Sequence, residues 1–154
     1  MPVGRLKRSQ IPGWLRLRSA LWPNTPVEVQ RQEMADILSD EEFNAVFVSR
    51  DRAGHLTGFL EASLRLRAEG CRTSPIGYVE GWYVVPQERR KGLGRALLAR
   101  AEAWAAARGC REMASEADME NGAGRAVHRL LGYEETARLA HFRKPMPDGE
   151  TRHR

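Results

Sequence analysis

Apolar residues along this chain recur with two spacings, and the places where one gives way to the other mark its elements. Residues 2–8 alternate weakly, through Val3 and Leu6, and predict a short first strand. From Ile11 to Trp22 the spacing of Trp14, Leu17 and Leu21 is helical, and Pro23 ends it. Thr25-Pro26 predicts a second helix, with Thr25 as N-cap, Pro26 in the first turn and Glu28 completing a capping box. Met34, Ile37 and Leu38 make up its expected buried side. Phe43–Arg50 and His55–Leu66 read as the two strands of a hairpin turning at Arg52-Ala53-Gly54. After a polar loop over 67–75, Ile76–Val85 is the most strand-like stretch, and Leu93–Arg108 is the clearest helix. Leu93, Leu97, Ala101 and Trp104 share one face of that helix, and Gly109 stops it. A short strand over Glu112–Ser115, a helix over Asn121–Leu131 capped by Gly132, and a closing strand over Glu135–Lys144 complete the pattern.

No repeat or linker divides the 154 residues. Strands and helices at the front, then strand–helix–strand–helix–strand, predict a single α/β domain: a mixed sheet with helices on both faces. The last residues, 145–154, read as a flexible tail.

Composition narrows the function classes. Apolar content of 42% and charged content of 29% fit a soluble globular chain. No stretch approaches the roughly 20 apolar residues of a membrane span, and no secretory signal is visible, so the expected location is cytoplasmic. Cys71 and Cys110 lie far apart, and the four histidines form no ligand pattern, so neither a disulfide framework nor a metal is expected. The net charge of +5 raises the question of nucleic acid. Lys and Arg are scattered, however, with no long basic run and little aromatic interleaving, which argues against it. An anionic small molecule would profit from the same field.

The stretch VVPQERRKGLG, residues 84–94, carries the most chemistry. Pro86 ends strand pairing because it lacks an N–H. Gly92 and Gly94 let backbone approach a ligand, and the helix from Leu93 turns its unsatisfied N–H groups and positive dipole end toward the loop. Arg89, Arg90 and Lys91 add charge. A phosphate fits such a seat. An exposed turn with solvated charges is the plainer alternative. A Walker loop is absent, and the glycine spacing is only GxG, short of a dinucleotide fingerprint.

Arg89-x-x-Gly92-x-Gly94, between a hydrophobic strand and an amphipathic helix, resembles the pyrophosphate loop of the GCN5-related N-acetyltransferases. Residues 121–133 (NGAGRAVHRLLGY) resemble their second acetyl-CoA segment. Within that superfamily the chain is similar to the aminoglycoside 6′-N-acetyltransferases, through WLRLRSALWP at 14–23, EASLR at 61–65, GCRTSP at 70–75, VEGWYV at 79–84, GCREMAS at 109–115 and FRK at 142–144.

The resemblance implies an N-acetyltransferase domain over 1–144, with acetyl-CoA as cosubstrate and direct attack by the acceptor amine in a ternary complex. Trp82, Tyr83 and Val84 would pair with the pantetheine arm. Arg89, Arg90, Lys91, Gly92, Leu93, Gly94 and Arg95 would hold the pyrophosphate, with Asn121 nearby. Glu80 would hold the acceptor ammonium and take its proton, directly or through water. It is expected to face oppositely to Val79 and Gly81. The Val84 N–H would meet the developing oxyanion, and His128, where many relatives have tyrosine, would protonate the leaving thiolate or hydrogen-bond to it. Tyr133 and the Tyr83 ring read as packing.

By the same resemblance Trp22, Arg67, Glu80, Glu116, Asn121 and Ala137 would take the acceptor's positions, with a helix-end core tryptophan the plainer reading of Trp22. Asp118 and Glu120 extend the acidic cluster, with Glu134 and Glu135 next in sequence. Arg67, Glu116 and Ala137 depart from the closest pattern, and Arg67 pointed inward would repel a polycation. Another small amine, a polyamine or a protein N-terminus is therefore the alternative acceptor, and a basic binding module without turnover the alternative class. A homodimer is expected, with the 142–144 strand presenting an edge.

Overall fold

The computed structural model describes residues 2–117, 119 and 121–147. In chain order it contains β1 (Val3–Arg5), α1 (Ile11–Leu21), α2 (Val27–Leu38), β2 (Asn44–Arg50), β3 (Leu56–Arg65), β4 (Ile76–Val84), α3 (Leu93–Ala107), β5 (Met113–Ala114) and α4 (Gly122–Leu130). The five strands form one sheet in sequence order, antiparallel from β1 to β4 and parallel between β4 and β5.

Two cores follow from the alternation of side chains along β2. Ala45 and Phe47 join Leu60, Ala62 and Val79 under the Leu97, Ala101 and Trp104 face of α3. Val46 and Val48 point the other way and join Phe59 beneath Trp14 and Leu17 of α1 and Met34 of α2. The run Ala45–Val48 is buried on both faces, which is why it reads as continuously apolar. Helices therefore cover both faces of the sheet. No helix among the described residues is long and apolar enough to cross a membrane.

Three local expectations change. The start of α2 has Pro26 at its N-cap and no side-chain cap, so the Thr25–Glu28 box does not form. The Thr25 N–H instead closes a turn onto the Trp22 carbonyl at 3.2 Å. Leu38 is exposed, and Gln30 occupies the buried side with Met34. Residues 135–144 form no strand. They run exposed beyond α4, with Leu139 at 58% and Phe142 at 94% exposure, because no sheet edge of the same chain pairs with them. Most of the expected tail, from 148 onward, lies outside the described residues, as do Asp118 and Glu120.

Candidate active site

Among the described residues, β4 and β5 pair only at Gly77–Met113 and Tyr78–Ala114. Beyond Tyr78 the two strands part, and β4 runs on to Val84 paired with β3 alone. A notch opens there between the α1 side of the sheet and the α3 side.

β4 is bulged at this point. Glu61 of β3 pairs with Gly81 and Ala62 with Val79, so Glu80 is the extra residue. Val79 lies in the α3 core, whereas Glu80 bonds Ser63 and Arg65 on the α1 side. A Cβ on Gly81 would strike Trp22 at 2.5 Å and lie 3.4 Å from Phe59, so Gly81 also faces α1. The simple alternation expected for Glu80 therefore holds against Val79 and fails against Gly81. The bulge returns Trp82 to the α3 side.

The α1 side of the notch is acidic and aromatic. Glu80 Oε2 accepts from the Ser63 hydroxyl at 2.5 Å and from Arg65 Nε at 3.0 Å, and Oε1 accepts from the Arg65 guanidinium at 2.7 Å. Both lone pairs of Oε2 are thus used, and Oε1 keeps one. Arg65 stacks 3.6 Å above the Tyr78 ring. The bond to Glu80 holds the Arg65 guanidinium above its ordinary range. Burial, and then the Glu116 carboxylate, push the Tyr78 phenol up. Arg67 is exposed in the loop after β3. Glu135 is committed to ion pairs with Arg129 and Arg138. Ala137 lies with Glu116 and His128 on the wall of a cavity of about 710 Å³ bounded by β5, α4 and the chain after it.

Trp22 is held from behind by a buried polar network that sequence reasoning missed. Arg18 and Glu61, 4% and 3% exposed, form an ion pair at 2.7 Å. Trp14 Nε1 donates to the same carboxylate at 2.8 Å, and Arg18 also donates to the Gln30 side chain at 2.5 Å. Gln30 in turn donates to the Trp22 carbonyl at 3.2 Å, and the Arg18 guanidinium lies 4.7 Å above the Trp22 ring. Burial pushes the Glu61 carboxyl up, against the opposing pull of Arg18 and Trp14. Trp14, Arg18 and Trp22 recur at intervals of four residues, the one sequence signal that could have placed them on one helix face.

The α3 side presents backbone and glycine. The Val85 N–H donates to the Thr57 carbonyl at 2.9 Å, so by antiparallel alternation Val84 and Trp82 turn their N–H and C=O groups away from β3, toward the open edge. The Val84 carbonyl accepts from Arg89 Nε at 2.7 Å. Tyr83, expected along the same edge, turns its backbone groups to β3, and its ring packs on Phe59 and under Arg89. Arg90, at φ 65°, and Gly92, at φ 86°, are both left-handed, a sequence of turns that converges N–H groups on one concave side. Gly92 is the N-cap of α3 and supplies no side-chain acceptor to its first turn, where Leu93, Gly94 and the exposed Arg95 sit. Lys91 pairs with Glu88 at 2.9 Å.

α4 closes the notch. Asn121 caps the helix by accepting the Gly124 N–H at 2.8 Å, so its side-chain oxygen serves the helix. His128 stands edge-on to Trp82, ring centroids 5.7 Å apart, and bonds Ser115 at 2.8 Å. Tyr133 donates its phenol to Glu102 at 2.6 Å, and burial together with that bond raises it far above its ordinary range, in keeping with a packing role.

Comparison with known proteins agrees with this geometry. The acetyltransferase (GNAT) family model matches residues 14–133. Aminoglycoside N(6′)-acetyltransferase type 1 of Stenotrophomonas maltophilia is 42% identical over 134 residues, covering 86% of each chain. The protein of the same name from Klebsiella aerogenes is 40% identical over 135 residues, covering 86% of this chain and 89% of that one. The solved structure of AAC(6′)-Iy, in complex with the bisubstrate analogue CoA-S-monomethyl-acetylneamine, superposes with a TM-score of 0.87 at 34% identity, over 94% of this chain and 97% of that one. The bulged strand, the parted β4–β5 edge and the glycine loop are thus set in a shared framework, and the chain belongs to the acetyltransferase (GNAT) family.

Proposed function

We propose that this chain is an acetyl-CoA-dependent aminoglycoside 6′-N-acetyltransferase working by direct attack in a ternary complex, and that it confers resistance to the drugs it acetylates. One observation carries the reading: where β4 parts from β5, it carries Glu80 on the α1 side, with Gly81 against Trp22 and Tyr78 beside Glu116, and runs on with an outward edge to the left-handed glycine loop. A polycationic acceptor suits the first of these and an anionic coenzyme the second.

Acetyl transfer needs a neutral amine, a donor for the developing oxyanion and a proton for the departing thiolate. Glu80 offers the ammonium the remaining lone pair of Oε1, and with three donors already bound it passes the proton on through water rather than keeping it. The outward Val84 N–H meets the oxyanion. The N–H groups at 90–94 hold the pyrophosphate, and His128 serves the thiolate side. Residues 1–144 form the catalytic unit, acting in the cytoplasm where acetyl-CoA is available.

Thiol release on mixing with acetyl-CoA and a panel of aminoglycosides, polyamines and peptides tests the proposal. The highest kcat/KM is expected for an aminoglycoside; no turnover with any of them rejects the reading, and a faster polyamine or peptide reassigns the acceptor.

Gly94 gives a sharper check on the coenzyme side. A Cβ there would lie 3.5 Å from the Trp82 ring, an ordinary contact, so a side chain can start there without displacing the protein itself. Gly94→Asp, whose carboxylate suits the first helical turn but repels a pyrophosphate, is expected to hold the melting temperature while increasing KM for acetyl-CoA about tenfold, a loss of about 1.4 kcal/mol. An unchanged KM would remove the pyrophosphate from this loop.

A homodimer is supported by the exposed Leu139, Phe142 and Met146 on the unpaired chain after α4. Sedimentation is expected to give twice the chain mass at micromolar concentration, and Phe142→Asp to shift it toward monomer. A wild-type monomer contradicts this.

A further inference from the structure

We propose that Ser115 and His128 form a proton relay between the acceptor nitrogen and the departing sulfur, an assignment that rests on the acetyltransferase reading. β5 ends at Ala114 opposite Tyr78, and Ser115 is the first residue beyond that last pair, where the strands part. Its hydroxyl lies 2.8 Å from His128 Nε2. His128 Nδ1 lies 2.6 Å from the Gly124 carbonyl, which can only accept. In the neutral ring Nδ1 therefore carries the hydrogen, and Nε2 turns a lone pair to the serine.

The ring has little freedom to turn. Trp82 meets it at 89° and Tyr133 at 88°, with centroids 5.7 and 5.9 Å away. Tyr133 is not available as the acid, because its phenol is bound to Glu102. Glu80 stands on the α1 side of the sheet with three donors bound. The hydroxyl–imidazole pair is what this notch offers on the coenzyme side.

The transfers balance. As the nitrogen–carbon bond forms, Ser115 takes a proton from the acceptor nitrogen and hands its own to His128 Nε2. As the carbon–sulfur bond breaks, sulfur leaves with the bonding pair, and the same two transfers run in reverse to protonate it. Counted from the neutral amine that Glu80 leaves, nitrogen loses one further proton, sulfur gains one, and both side chains return to their starting state.

Four variants and one ligand-free measurement test the relay. Ser115→Ala and His128→Gln are each expected to lower kcat about 100-fold, within the range of general acid–base catalysis, with both KM values within about threefold of wild type. Ser115→Thr keeps the hydroxyl and is expected within about fivefold of wild type. The double variant is expected to be no slower than the slower single, as for residues acting as a unit. Nitrogen NMR of the unliganded protein at neutral imidazole is expected to show His128 as the Nδ1–H tautomer. Ser115→Ala with more than half of wild-type kcat, Ser115→Thr as slow as Ser115→Ala, or an Nε2–H tautomer overturns the relay. Wild-type protein whose thiol release no amine raises above the amine-free rate fails the acetyltransferase reading instead, a result distinct from slow variants of an active enzyme.

Discussion

Glu80→Gln is expected to lower kcat/KM for an aminoglycoside about 100-fold, a loss of about 2.7 kcal/mol, while KM for acetyl-CoA stays within about twofold. Glutamine keeps the shape of the side chain and an oxygen for the Ser63 hydroxyl, so the bulge is retained. The charge is what disappears. Arg65, whose guanidinium is bound to Glu80 through both Nε and the terminal nitrogen, is left without its counterion beside the acceptor's ammonium. Attraction becomes repulsion at one point, and the path for the proton through Oε1 closes. Steady-state thiol release with each substrate varied in turn measures both constants. A fall of less than about fivefold, or one confined to acetyl-CoA, would remove Glu80 from the acceptor side.

Glu61→Ala is expected to destabilise the fold by about 3–5 kcal/mol, since it strands a buried guanidinium without its partner. For a chain of this size that corresponds to a melting temperature lower by roughly 10 °C, measurable by thermal denaturation at neutral pH. The Trp14 indole loses its acceptor in the same change. Replacing Arg18 and Glu61 together by leucine is expected to cost much less, because no charge is left behind. The single variant is also expected to raise KM for the acceptor more than KM for acetyl-CoA, because Arg18 and Gln30 hold Trp22 against the β4 bulge. A loss below about 1 kcal/mol would show that solvent reaches the pair.

These two sites differ in how plainly the sequence announced them. The apolar face of α3 and the doubly buried run of β2 were readable because one spacing decides burial over a whole element. The turn before α3 was readable from two glycines, a proline and a helix start, but composition left a phosphate seat and a solvated turn equally open, and only the family resemblance chose between them. Glu80 was readable as a lone acid in an apolar strand, but its guanidinium partner sits on β3, fifteen residues earlier in the chain. The bulge that turns Gly81 to the α1 side is a property of the β3–β4 register, and neither strand carries it by itself. Residues 135–144 show the converse. Their β-like composition predicts a strand, yet a strand exists only where an edge receives it, and β5 pairs for two residues only. The capping box at Thr25 failed locally, because Pro26 at the N-cap holds the extended backbone that starts α2 and leaves no side-chain acceptor there. Ser115 escaped notice since a single serine after a short strand carries no pattern.

The departures at Arg67 and Ala137 have different weights in the folded chain. Arg67 is exposed in the loop after β3, two residues beyond the Arg65 that binds Glu80. Ala137 leaves the acidic side to Glu80 and Glu116, with Glu135 neutralised by two arginines.

The most direct test is a crystal structure of the chain with coenzyme A and an aminoglycoside bound. The account predicts the diphosphate within hydrogen-bond distance of the N–H groups at 90–94, the sulfur in the notch between Trp82 and Ser115, and the drug's 6′ nitrogen against Glu80 Oε1. A diphosphate bound elsewhere, or a 6′ nitrogen on the far side of the sheet from Glu80, would contradict it.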